Sequence, residues 1–129
     1  MSAARSKAEP LVLYIVDADV SVRQALCRLG STGGFRVRAF ESLEQCLTGL
    51  DPGAQGCVLL DSSLVGSASD LRETMRRRSF EWPVIMLCAG ADEIARHEAR
   101  ELGARLLLNK PVDAQALFDS IAWVTDDAR

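Results

Sequence analysis

No stretch of this chain approaches the ~20 consecutive apolar residues that a membrane-spanning helix requires. The first ten residues are polar and lack the apolar segment of a secretory signal, so a cytoplasmic location is expected. Like charges do not run to tail length; Arg76-Arg77-Arg78 is short and suits a solvated helix end. With a formal net charge of −3 and a pI of about 5.1, the chain carries no basic footprint for nucleic acid. The four cysteines, Cys27, Cys46, Cys57 and Cys88, show no C-x-x-C spacing, which excludes the common zinc and dithiol signatures. Three of them fall in apolar surroundings, so buried free thiols in a reducing compartment are expected. The one histidine, His97, lies in a charged segment without neighbours that would suit a phosphocarrier. Repeats, linkers and low-complexity segments are absent as well, which leaves one domain large enough for an ordinary core.

What the chain does have is a set of short apolar runs that end abruptly. Cys57-Val58-Leu59-Leu60 stops at Asp61, and Leu11-Val12-Leu13-Tyr14-Ile15-Val16 stops at Asp17. Pro83 to Cys88 stops at Ala89-Gly90, and Leu106-Leu107-Leu108 at Asn109-Lys110. Runs this short, bounded by turn residues, suit buried strands. Aspartate disfavours strand interiors, so Asp61 is expected just past the strand end. If the strands are parallel, Asp17, Asp61, Cys88 and Lys110 meet at one sheet edge, where ligands of open α/β sheets bind.

Helical patterns fill the gaps. A helix is expected from about Val20 to Leu29, burying Val22, Ala25, Leu26 and Leu29, with Gly30 and Gly33-Gly34 ending it. Phe35 to Phe40 alternates Arg36 and Arg38 with Val37 and Ala39, as an edge strand would. Ser42-x-x-Gln45 is a capping box opening a helix that buries Leu43, Cys46, Leu47 and Leu50 and stops at Asp51-Pro52-Gly53. An irregular loop over 62–69 precedes a helix from about Ser69 to Arg78, with Leu71 and Met75 inward. A further helix near Asp92–Leu102 turns Ile94, Ala95, Ala99 and Leu102 inward and is capped by Gly103; the last, about Asp113–Thr125, buries Leu117, Ile121 and Val124. Strands alternating with helices imply a parallel sheet with right-handed crossovers. The expected fold is flavodoxin-like, a doubly wound (βα)5 sheet in the order 2-1-3-4-5, over residues 11–125 between a loose leader (1–10) and a short tail (126–129).

From Leu11 to about Val124 the chain resembles a response-regulator receiver domain of two-component systems, most closely the FixJ-like branch. The resemblance rests on Ile15-Val16-Asp17, Ser21-Val22-Arg23, Leu26, Gly34-Phe35-Arg36-Val37, Phe40, Leu59-Leu60-Asp61, Pro83-Val84-Ile85, Gly103-Ala104 and Lys110-Pro111. It implies that Asp61 is the phosphoacceptor, that Asp17, Asp61 and the backbone carbonyl of Ser63 hold Mg2+, and that Lys110 and the residue at Cys88 contact the phosphoryl group. Such a domain regulates rather than acting as an enzyme, catalysing at most its own phosphorylation and dephosphorylation. Its partners are a histidine kinase or phosphotransfer protein, and an effector or a second copy on the face of the fourth helix, fifth strand and fifth helix. The domain is not expected to touch nucleic acid itself; FixJ-like receivers usually precede a helix-turn-helix domain, so this is a free-standing receiver or a fragment.

The chain departs from the family pattern at four places. The second acid after the first strand, a direct metal ligand, is Ala18; Asp19 is acidic but one residue on. Weak Mg2+ binding is expected, since even indirect partners of a metal are worth ~10–100-fold in affinity. Cys88, a weak donor, stands where a hydroxyl usually does. Leu107 stands for the aromatic switch residue, and the turn Val65-Gly66-Ser67-Ala68-Ser69 is about one residue short. An atypical phosphorylated receiver and a phosphorylation-independent pseudo-receiver that binds other proteins both fit these departures. Asp17-Ala18-Asp19 also fits the D-x-D opening of a haloacid-dehalogenase-like phosphatase, with Asp17 as nucleophile, Asp19 as acid–base and Lys110 as its lysine. That reading leaves Asp61 without a role and lacks a final acidic motif, because Asp126-Asp127 follows no strand.

Overall fold

The computed structural model describes residues 11–51, 53–90 and 92–127. The expected leader, Pro52 of the Asp51-Pro52-Gly53 stop, and the last two tail positions lie outside them. Five strands, β1 (Val12–Val16), β2 (Arg36–Phe40), β3 (Gly56–Asp61), β4 (Val84–Cys88) and β5 (Leu106–Asn109), alternate with helices α1 (Val20–Thr32), α2 (Leu43–Thr48), α3 (Ala68–Arg77), α4 (Glu93–Leu102) and α5 (Ala114–Asp127). All pairings are parallel and the sheet order is β2-β1-β3-β4-β5, as the alternation predicts.

Successive side chains of a strand point to opposite faces, and here each face has its own core. Val12, Tyr14, Val16, Val58, Leu60, Val84 and Met86 pack with Cys46, Ala68, Ala99 and Leu102 beneath α2, α3 and α4. Leu13, Ile15, Cys57, Leu59, Ile85 and Leu87 pack with Leu26, Leu117, Ile121 and Val124 beneath α1 and α5. Burying one such side chain fully contributes ~1.5–3 kcal/mol. Both faces of the central strands are therefore apolar, which is why these runs are continuous rather than alternating. β2, at the sheet edge, keeps Arg36 and Arg38 exposed and Val37 half-buried.

The helices begin on side-chain caps. Asp19, Ser42, Ser67 and Asp92 accept from the first free amides of α1 to α4, and Asp113 accepts from the amide of Ala116 at the start of α5. Ser42 accepts from the amide of Gln45 as a capping box requires, but the Gln45 side chain returns to the amide of Glu41, one residue earlier. Gly103, with φ of 87°, ends α4 in the left-handed conformation that favours glycine. α2 stops at Gly49, short of the expected Asp51.

Three expectations fail on packing. α1 continues through Gly30 and ends at Gly33. Gly30 serves close approach instead of termination, because a Cβ there would lie 2.9 Å from Leu13 Cδ2 and 3.0 Å from Val37 Cγ2. Ala25 is exposed, since the helix faces the sheet with Leu26 and Gly30. Ile94 is 70% exposed: the inward row of α4 is Ala95, Ala99 and Leu102, and Ile94 lies one residue, about 100° of helix rotation, off that row. The irregular loop after β3 contains a 3-10 turn, Ser62–Leu64. All four cysteines are free, three of them buried. Burial pushes the Cys46 and Cys57 thiols up to about 12, so both are protonated and inert at neutral pH. Among the described residues no helix is long and apolar enough to cross a membrane.

Candidate functional site

Parallel pairing decides which residues meet. Val16 of β1 is in register with Leu60 of β3, so Asp17 and Asp61 leave adjacent strands side by side at the carboxyl edge. Asp61 is itself the last residue of β3, opposite Leu87, rather than just past the strand end. Cys88 is in register with Asn109, and the amide of Lys110 donates to the carbonyl of Cys88 at 2.8 Å, which carries the lysine onto the same edge.

Asp17 is 1% exposed. Its Oδ1 accepts from the amide of Asp19 at 2.9 Å and its Oδ2 from Lys110 Nζ at 2.7 Å. The Asp17 backbone carbonyl accepts from Arg23 Nη1 at 2.6 Å. Asp61 is held from two directions. Ser63 donates its amide to Oδ1 at 3.2 Å and its hydroxyl to Oδ2 at 2.8 Å, while Lys110 Nζ lies 3.2 Å from Oδ1. The lysine ammonium thus bridges both carboxylates.

Burial alone would raise the pKa of Asp61, but the Ser63 hydroxyl and amide and the Lys110 charge outweigh it, and the pKa lies below the usual carboxylate value. For Lys110, burial lowers and the bond to Asp17 and the charges of Asp61 and Asp17 raise; the net shift is upward. At neutral pH Asp61 is therefore a carboxylate and Lys110 an ammonium. Buried charges survive only when paired and hydrogen-bonded, as these are.

The other expected site residues sit around this cluster. Ala18 is exposed and offers no side-chain donor. Asp19 turns Oδ1 to the amides of Ser21 and Val22 at the start of α1. Cys88 is buried, with its thiol donating to Asn109 Oδ1 at 3.6 Å. Leu107 packs against the core beneath α2, α3 and α4. Two residues were not anticipated in these roles: the hydroxyl of Ser63 and the guanidinium of Arg23. Ser63 was foreseeable, since D-x-S is a spacing at which an aspartate side chain accepts from the amide two residues on. Arg23 lies one helical turn past Asp19, within reach of the loop it clamps. Among the described residues no group of three or more His, Cys, Asp or Glu stands together as a ready metal cage.

The sequence pattern of the response regulator receiver domain family matches residues 13–122. The transcriptional regulatory protein TdiR of Thauera aromatica is 33% identical over 110 residues, covering 84% of this chain and 48% of TdiR. Nodulation protein W of Bradyrhizobium diazoefficiens is 29% identical over 119 residues, covering 92% of this chain and 52% of that protein. The chain spans about half the length of these curated relatives. Among solved structures, the response regulator StyR superposes with a TM-score of 0.78 at 30% identity, over 92% of this chain and 61% of StyR. Full-length FixJ from B. japonicum superposes with a TM-score of 0.79 at 26% identity, over 94% of this chain and 60% of FixJ.

Proposed function

The chain belongs to the response regulator receiver domain family, and from that premise we propose that Asp61 accepts a phosphoryl group from a phosphohistidine on a histidine kinase or phosphotransfer protein. The observation that carries this reading is the pairing of an Asp61 carboxylate held ionised with an ammonium 3.2 Å from it. An ionised carboxylate needs no base to act as a nucleophile. One Asp61 oxygen forms the new O–P bond as the P–N bond breaks; the imidazole leaves with the bonding pair and takes a proton from water. Lys110 faces the charge that develops on the phosphoryl oxygens, from a position already fixed by Asp17.

Receiver domains typically bind Mg2+, and the residues present suit it. Asp17, Asp61 and the carbonyl of Ser63 are hard oxygen donors, and Mg2+ is commonly held by one or two carboxylates with water completing its shell. When bound, the ion neutralises charge on the phosphoryl oxygens. Binding is weak in this reading, because Ala18 contributes no oxygen and Asp19 Oδ1 is engaged at the helix start. Partners are a kinase or phosphotransfer protein, and an effector or second copy on the face of α4, β5 and α5.

A second reading, a module that binds its partner with or without phosphate, draws on the opposite end of the edge. The Cys88 thiol is turned to Asn109 and the half-buried Leu107 packs against the core beneath α2, α3 and α4, so neither is arranged as a relay to that face. The phosphatase alternative is set aside: it would need Asp19 as a free acid–base, and it leaves the Asp61–Lys110 pair unexplained.

The test is to incubate the protein with acetyl phosphate and Mg2+ and follow the intact mass. A single phosphoryl adduct that disappears in Asp61→Asn is expected. An adduct that persists in Asp61→Asn, or none in the parent protein, would overturn the assignment.

A further inference from the structure

The run Arg76-Arg77-Arg78 takes no part in the cluster at the carboxyl edge. It closes α3, and Ser79 follows it. Ser79 is exposed and has a φ of 55°, the one positive value at a non-glycine position among the described residues. Its amide donates to the carbonyl of Arg76 at 3.1 Å, and the amide of Phe80 donates to that of Met75 at 2.9 Å. This pair of bonds is the helix-ending motif whose left-handed position glycine usually fills. α4 ends on the same pair, Gly103 to Arg100 at 3.2 Å and Ala104 to Ala99 at 2.9 Å, and there the left-handed residue is glycine.

Backbone energetics therefore favour glycine at position 79, since a Cβ is unfavourable in the left-handed region. No contact of the serine offsets this: among the described residues its hydroxyl has no hydrogen-bond partner. A residue that breaks a local rule without a compensating contact points to function. Its neighbours narrow the choice. Arg76 and Arg77 have side chains 71% and 67% exposed, and Arg78 is exposed as well. On the other side, Phe80 packs against the core and meets Trp82 edge-on, so the turn is held from within while the hydroxyl stays outside.

An exposed hydroxyl directly after exposed arginines is the pattern that a protein kinase with acidic subsites reads, because carboxylates hold guanidinium forks bidentately. We propose that Ser79 is a phosphorylation site for an ATP-dependent serine/threonine kinase that reads Arg76, Arg77 and Arg78. It lies between α3 and the start of β4, at the amino edge of the sheet, whereas Asp61 ends β3 at the carboxyl edge. In the transfer, the bond from Ser79 Oγ to the γ-phosphorus forms as the bond from that phosphorus to the ADP oxygen breaks. ADP leaves with the bonding pair, and the hydroxyl proton passes to the kinase's carboxylate base. Arg76, Arg77, Arg78 and Glu73 give this helix end a net positive charge, which the roughly −1.5 to −2 of a phosphoserine nearly cancels.

The experiment incubates the full chain with MgATP and the catalytic subunit of cyclic-AMP-dependent protein kinase, an arginine-reading probe. Hydroxylamine is then added, which removes an acyl phosphate from an aspartate and leaves a phosphoserine. Intact mass and peptide sequencing are expected to show one hydroxylamine-stable adduct, on Ser79, that is absent in Ser79→Ala. In Arg76→Gln/Arg77→Gln, kcat/KM for the kinase is expected to fall by about a hundredfold or more, through loss of two charge-assisted contacts. Ser79→Gly is expected to unfold in urea at or above the parent midpoint, because glycine suits the left-handed position. No adduct in the folded chain, an adduct on another hydroxyl, or one that hydroxylamine removes would overturn the proposal. So would equal kcat/KM without the two arginines, or a lower urea midpoint for Ser79→Gly, which would give the serine a structural role instead.

Discussion

The two ends of the carboxyl edge are built differently. Where β1 and β3 end, two aspartates and a lysine are held by bonds of 2.7 to 3.2 Å, and Ser63, Asp19 and Arg23 add further donors around them. Where β4 and β5 end, a buried thiol leans on an amide oxygen at 3.6 Å, and a half-buried leucine packs against the core. The first end is organised by charge, which is strong, directional and intolerant of a missing partner. The second is organised by packing, which tolerates exchange of side chains of similar size. In the proposed reading, chemistry at Asp61 and coupling to the α4–β5–α5 face are thus separable, and each can be perturbed on its own.

The largest effect is expected from removing the shared cation. Lys110→Met leaves Asp17 and Asp61 facing each other without a counter-charge, and takes away the fixed group opposite the phosphoryl oxygens. The rate of adduct formation from acetyl phosphate should fall by about a hundredfold or more, the cost of one preorganised donor at a developing oxyanion. A fall of only a few-fold would mean that the charged end is less committed to this chemistry than its geometry implies.

Next is the metal. Ala18→Asp supplies a carboxylate beside Asp17 and should tighten Mg2+ by about tenfold or more, read by titrating tryptophan fluorescence or by calorimetry. Equal affinity would show that Asp19 already serves.

The pH dependence of stability divides the same way. Asp61 titrates below its unfolded value, so its contribution is full above ~3.9 and is lost as pH falls through the lower folded value. Lys110 titrates above its unfolded value, so its contribution is full below ~10.4 and is lost as pH rises through the higher folded value. Urea midpoints should therefore fall on both the acid and the alkaline side, and Asp61→Asn should flatten the acid side.

The smallest effect is expected at the packed end. Cys88→Ala removes one weak neutral hydrogen bond and should change unfolding free energy by only ~0.5–1.5 kcal/mol. Beryllofluoride should leave the amides of residues 92–123 nearly still. Large shifts there would show that the packed end does relay the signal, and would erase the contrast between the two ends.

The strands and the convergence of Asp17, Asp61 and Lys110 were legible in the sequence, because buried parallel strands are continuous apolar runs and the strand ends place the next residue. Helix facing was less so. An apolar Ile94 beside alanines looks like part of a buried row, but α4 turns Ala95, Ala99 and Leu102 inward, and propensity carries no information on rotation by one residue. Gly30 illustrates the same limit: a glycine that ends a helix and one that lets a helix approach a strand are identical letters, distinguished only by Leu13 and Val37 across the gap. Ser63 and Arg23 escaped notice because their roles are set by where a side chain turns once Asp61 and Asp17 are fixed.

The bond between Lys110 and Asp17 joins residues 93 positions apart. During synthesis at ~5–20 residues per second, Asp17 and Asp61 are made seconds before the lysine that neutralises them. The pair of carboxylates must wait for β5 to be translated and docked on β4 before it has its counter-ion. The charged cluster is therefore a property of the assembled sheet: it exists only once β5 has brought Lys110 beside Asp17 and Asp61.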